Sequence, residues 1–190
     1  MSRIIDIRGT NGSGKTYLVR ELIERLGGKK SYYLEDDADR IIGYTLQDGT
    51  GLLGPYEKAV SGGCDQIRTM DQVCDLVRDM VDDGHHTIIL EGYIVSHTFS
   101  RWHAMAKEMK KRDYKWHFRF LETELEECIR RVKLRRAARG NTNPYDPKNL
   151  TRDWHRSRKV VQQFLDAGHD VSWITDVEDI WKEFYADRQA

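Results

Sequence analysis

Residues 8–16 read RGTNGSGKT, and Gly9 to Thr16 satisfies the spacing G-x-x-x-x-G-K-[ST]. Glycines let successive amides curl inward with no Cβ in the way, so their N–H groups can converge on an oxyanion. A helix opening at Lys15 adds the partial positive charge of its amino end. Gly9, Asn11, Gly12, Ser13, Gly14, Lys15 and Thr16 are therefore candidates to hold a polyphosphate. In such a cradle the Lys15 ammonium reaches the outer phosphates and the Thr16 hydroxyl is offered to Mg2+.

Three further groups could act on a phosphate held there. The stretch YYLEDDADR (32–40) places Asp36 and Asp37 at the end of an apolar run, where either could accept the proton of an attacking hydroxyl or simply cap a helix. Asp37 and Arg40 are three apart, hence neighbours if a helix begins there. The buried-type strand HTIILEG (86–92) ends in Glu91, either a carboxylate for Mg2+ or the acceptor or a plain strand terminus. In IRRVKLRRAARGN (129–141) the apolar stripe of Leu125, Cys128, Ile129 and Val132 stops. Arg131, Arg135 and Arg139 continue four apart on one face, with Arg136 beside them. Such guanidinium groups could neutralise a transferring phosphoryl group; a solvated helix end or a nucleic-acid surface would use the same charges.

These residues need a frame. RIIDIR (3–8) reads as a strand, and 15–26 as a helix with Leu18, Val19, Leu22, Ile23 and Leu26 on one face. Strands are predicted at 31–35, 86–92, 115–122 and 171–175, and helices at 71–83, after Ser100, after Thr123, at 151–167 and at the C-terminal end. Thr123 with Glu126, and Thr175 with Glu178, have the spacing of helix caps. Strand–helix alternation predicts a parallel sheet covered on both faces, with ligands at the carboxyl ends of its strands. Residues 41–68 break the rhythm; Asp48-Gly49 suggests a hairpin turn within a substrate-facing insertion that carries GPYEK and GGCD.

With its flanking strand and helix, GTNGSGKT resembles the phosphate loop of the P-loop nucleoside triphosphatase superfamily. The resemblance implies one domain over 1–190: a three-layer α/β/α fold with a five-stranded parallel sheet, binding ATP with Mg2+. The basic helix resembles the arginine lid of nucleotide and nucleoside kinases, about 131–148. There Arg131 and Arg136 would join the nucleotide site and Arg135 and Arg139 the catalytic set, with Thr16 and Glu91 on the metal. Asp-x-x-Arg at 37–40 resembles the pair of phage polynucleotide 5′-hydroxyl kinases, in which the Asp is the base and the Arg holds the acceptor. The whole pattern is similar to phage-type kinases that phosphorylate 5-hydroxymethyluracil in DNA. That implies a DNA or nucleotide-type acceptor, held by Arg40, Tyr56 and Lys58. A 5′-hydroxyl end, a free nucleoside or nucleotide, and a purely hydrolytic module are the competing readings.

Lys plus Arg and Asp plus Glu both number 31, so any attraction to nucleic acid must be local. Cys64, Cys74 and Cys128 have no paired spacing, which argues against a disulfide frame or zinc site. No apolar run is long enough for a membrane span, and the N-terminus reads as a strand rather than a signal peptide, so a cytoplasmic protein is expected. The sequence sets no oligomeric state.

Overall fold

The structure, a computed structural model, describes residues 2–27, 29–34, 37–57 and 62–186, the side chains of 29–34 and 37–40 excepted. Five strands run parallel, in the spatial order β4 (Gly51–Leu53), β5 (Thr87–Glu91), β1 (Ser2–Arg8), β6 (Tyr114–Leu121) and β7 (Asp170–Ile174). Beyond β4, strands β2 (Lys29–Leu34) and β3 (Asp37–Leu46) extend the sheet antiparallel, making seven strands in the order β2-β3-β4-β5-β1-β6-β7.

The sheet is thus larger than the five strands expected. Of the segment expected as a parallel strand at 31–35, residues 31–34 belong instead to the outer strand of an antiparallel hairpin. Its parallel place is taken by Gly51–Leu53, too short to show any period. The Asp48-Gly49 turn closes the β3–β4 hairpin as expected. The Asp48 carboxylate accepts the Thr50 amide at 2.9 Å and the Thr50 hydroxyl at 2.8 Å.

Helices cover both faces. Alternation along β1 and β5 sends Ile4, Ile88 and Leu90 to a core with α2 (Met70–Asp82), α4 (Ser100–Lys110) and α6 (Lys148–Asp166). Ile5, Ile7 and Ile89 pack against α1 (Lys15–Leu26) and α7 (Val177–Phe184) on the other side. The same alternation buries Asp6 and Arg8 completely in the first core. The Arg8 Nε and Nη2 donate to Asp6 Oδ2 at 2.9 and 2.7 Å. The guanidinium lies within 6 Å of the rings of Trp102, Phe118, Phe120 and Phe164. Burial pushes the Asp6 pKa up and the Arg8 pKa down, each against its partner's pull. Such a pair stabilises only while both members are present.

Both expected caps lie elsewhere. The helix after Thr123 is α5 (Leu125–Ala138), with Glu124 at its N-cap and no side-chain cap, because the Thr123 hydroxyl donates to Ser13 O at 2.9 Å instead. At α7 the cap falls one residue later: Asp176 accepts the Glu178 amide, while Asp179 accepts from Thr175. No helix among the described residues is long and apolar enough to cross a membrane.

The parallel register aligns Ile7 with Glu91 and Arg8 with Phe120, so the residues after β1, β5 and β6 emerge at one edge. Two antiparallel steps return β2 to the direction of the parallel strands. The Leu34–Asp37 end of the β2–β3 hairpin therefore opens at that same carboxyl edge, beyond the last β3–β4 pairing of Gly43 with Leu53.

Candidate active site

Between β1 and α1 the chain wraps a tight cradle. Gly14, in a left-handed conformation, is the N-cap of α1. Gly12 has φ +83°, and a Cβ there would stand 2.6 Å from Cys128 O, so only glycine lets the loop pass beneath α5. Lys15 is 6% exposed and donates from Nζ to Gly9 O at 2.9 Å and Thr10 O at 3.1 Å. Burial lowers its pKa, while Glu91 and Asp65 resist that shift. The loop is tied down by the Ser96 hydroxyl, which accepts the Gly9 amide at 3.0 Å, and by Thr123 on Ser13.

Thr10 Oγ1 and Ser13 Oγ are buried in this loop without a hydrogen-bond partner. Buried hydroxyls are rarely left so. The residues that flank them in sequence, Asn11, Gly12, Gly14, Lys15 and Thr16, line a cavity of about 350 Å3 with Arg135 among others. A sterically required glycine and a buried ammonium, both lining that cavity, fit a phosphate chain.

Glu91 ends β5 inside the same cavity, 1% exposed. Its Oε1 accepts the Thr16 hydroxyl at 2.8 Å and lies 3.5 Å from the Tyr56 hydroxyl. Burial is the main cause that pushes its pKa up to about 7, against the pull of Lys15 and Thr16. A divalent cation between Thr16 and Glu91 would hold that carboxylate ionised. An oxygen pair of this kind suits Mg2+, which keeps several waters and takes few protein ligands.

The arginine helix closes the donor side. Arg131 donates from Nη1 to Ser13 O at 3.1 Å, held by Glu127, and Arg135 donates to Asn11 Oδ1. Arg136 turns elsewhere, donating to Asn141 Oδ1 at 3.2 Å and lying 5.4 Å over the Tyr145 ring. Arg139 is the C-cap of α5, one turn beyond Arg135. So Arg131 and Arg135 meet the P-loop, and Arg136 packs on the lid's own loop.

On the acceptor side, Asp36 and Lys58 lie outside the described residues, as do the side chains of Asp37 and Arg40. The backbone of Asp37 and Arg40 is strand, not helix, so the neighbour relation expected at three-residue spacing does not hold. Tyr56 is buried, backing Glu91 from behind instead of facing the cavity.

Several cavity residues escaped the sequence reading. Asp65 sits on a 3-10 turn (Gly63–Gln66) and accepts the amides of Tyr93 at 2.7 Å and Ile94 at 3.0 Å. It thereby fixes α3 (Tyr93–Ser96) at the end of β5. Tyr93 and the 69% exposed Tyr17 line the cavity, with Arg20 and Gln66. The turn docks through bare backbone: Gly63 has φ +74°, and a Cβ there would lie 2.5 Å from Glu91 Oε1, while one on Gly54 would strike Gly63 at 2.2 Å. Paired glycines before an Asp, GGCD, were the available signal.

A family profile described as "AAA domain" matches residues 4–152. A 5-hmdU DNA kinase of Pseudomonas phage PaMx11 is 35% identical over 173 residues, 89% of this chain and 88% of the relative. A 5-hmdU DNA kinase of Pseudomonas phage M6 is 29% identical over 188 residues, 94% of this chain and 95% of the relative. Another, of Delftia phage PhiW-14, is 28% identical over 177 residues, 87% of this chain and 65% of the relative. With the phosphate cradle, the buried lysine and the arginine helix in place, the chain belongs to the P-loop kinase family that includes the phage 5-hmdU DNA kinases.

Proposed function

We propose that this protein transfers the γ-phosphate of ATP to the 5-hydroxymethyl group of 5-hydroxymethyluracil in DNA. The observation that carries the phosphoryl-transfer half is the loop itself, where Asn11, Gly12, Gly14, Lys15 and Thr16 line one cavity together with Arg131 and Arg135. The acceptor half is supported by the activity named for the relatives.

Lys15, Arg131 and Arg135 grip the phosphate chain and offset charge on the phosphoryl group as it moves. Thr16 and Glu91 would hold Mg2+, which would supply further neutralisation of the phosphate charge. The hydroxymethyl oxygen forms a bond to the γ-phosphorus as the bond to the β-phosphate oxygen breaks, releasing ADP. Asp37, on the hairpin end at the carboxyl edge, takes the hydroxyl proton. Glu91 is committed to the metal side by its bond to Thr16.

The test is γ-labelled ATP offered with DNA containing 5-hydroxymethyluracil, with 5′-hydroxyl oligonucleotides and with free nucleosides. Label on the modified DNA is the expected result. Label only in free phosphate marks a hydrolase, and label on a nucleoside but on no DNA removes the acceptor.

A further inference from the structure

Residues 129–159 contain eleven Lys and Arg against only Asp146 and Asp153, a local net charge of +9 in a chain whose total is zero. Part of this charge, on α5, serves the phosphate loop. The rest follows α6, where Arg152, Arg156 and Lys159 are spaced by four and three and so share one helical face. Arg156 and Lys159 line a groove of about 510 Å3 between α6 and the start of α4, together with His97, Thr98 and Arg101. No carboxylate lines that groove. Arg101 is paired with Asp71, whereas Arg156 and Lys159 have no acidic partner among the described residues. From Arg152 to Lys159 the face runs about 10 Å, the length of roughly three base steps.

The groove adjoins the active site through one wall. Tyr93 lines the phosphate cavity and its hydroxyl donates to Asp153 of α6. His97, one turn later, packs its ring at a tilt against Tyr93, 4.5 Å between centroids, and makes a 3.1 Å hydrogen bond with Asp153 O while lining the groove. A polyanion lying along α6 would therefore reach the reaction cavity directly.

We infer that the α4–α6 groove holds the phosphodiester backbone of the acceptor DNA, with Arg156 and Lys159 as its phosphate contacts. This rests on the reading of DNA as acceptor. Backbone contacts of this kind position the strand without reading its sequence.

The test uses the full chain carrying Arg156→Ala with Lys159→Ala. Its control is Lys107→Ala with Lys110→Ala, which removes equal charge from a cavity at the amino edge of the sheet. Binding to duplex DNA containing 5-hydroxymethyluracil is followed by fluorescence anisotropy across a salt series, and ATP binding by calorimetry. The groove variant should raise the DNA Kd and KM about tenfold and flatten the log–log salt slope by about two, at roughly one per lost phosphate contact. Its ATP affinity and kcat at saturating DNA should stay within about twofold. The control should match the unaltered protein. An unchanged salt slope in a groove variant that melts normally would overturn the inference, as would an equal loss in the control. If the unaltered protein labels no DNA, the acceptor assignment fails on its own, and the anisotropy series still decides the groove.

Discussion

The donor and acceptor ends of the cavity are built by opposite means. On the donor side, Gly9 to Thr16 are contiguous, and their lid partners Arg131 and Arg135 are one turn apart on a single helix. The end proposed for the acceptor draws Tyr17 from α1, Asp65 from the 3-10 turn and Tyr93 from α3, and the proposed base Asp37 belongs to a hairpin two strands away from β5. One end is a local backbone device, which any strand–loop–helix with that spacing reproduces. The other is an assembly of distant segments, whose geometry depends on how each of them docks.

That contrast is open to attack from either end. Lys15→Ala should have the largest effect, cutting transfer by about 10³-fold or more to every acceptor, because the lost charge acts on the phosphate common to all. Labelled transfer measures it, and retention of more than a tenth of the rate would show that the donor end does not depend on its lysine. Asp37→Asn should slow transfer by about 10²-fold while calorimetric ATP affinity holds, since it removes a base and no donor contact. Full activity in that variant would move the proton to Asp36 or Glu91. Tyr17→Ala should raise KM for the DNA acceptor about tenfold, the scale of one lost base-stacking platform, with KM for ATP unchanged. A rise in the ATP KM instead would assign Tyr17 to the donor end.

The smallest expected effect lies in neither half. His117 on β6 accepts from Arg119 Nη2 at 3.1 Å, and burial pushes its pKa down to about 4. The unfolded chain takes up this proton near pH 6.5 while the folded one resists, so this contribution is complete above about pH 6.5 and is lost as pH falls toward 4. His117→Gln should therefore flatten the fall of Tm across that window by a few degrees, with transfer at pH 8 unaltered. A Tm profile identical to that of the parent would remove His117 as a source of acid sensitivity.

The same division governs how much the sequence discloses. The phosphate loop, Glu91 and the arginine turns of α5 were legible because each lies on one element whose period or spacing shows it. Asp6 and Arg8 were hidden in an apolar-looking strand, since nothing local shows that four aromatic rings from other elements enclose them. Thr123 has the spacing of a helix cap, yet the loop more than a hundred residues earlier claims its hydroxyl. Asp65 is an acid after two glycines in a connection without period, and its partners at Tyr93 and Ile94 exist only once the 3-10 turn has docked. Long-range satisfaction of polar groups wins over local propensity at each of these places.

Gly54, Gly63 and Glu91 stack backbone on backbone on carboxylate, leaving no room for even a methyl group. The turn that carries Asp65 therefore leans directly on the group proposed for magnesium. Exchanging residues 54–66 for a loop from another kinase, as one would to retarget the enzyme, would displace the cation together with the substrate. On the proposed reading selectivity and turnover are mechanically welded, and the weld extends to the β2–β3 hairpin, whose Ile42 carbonyl accepts the Gly54 amide at 2.7 Å.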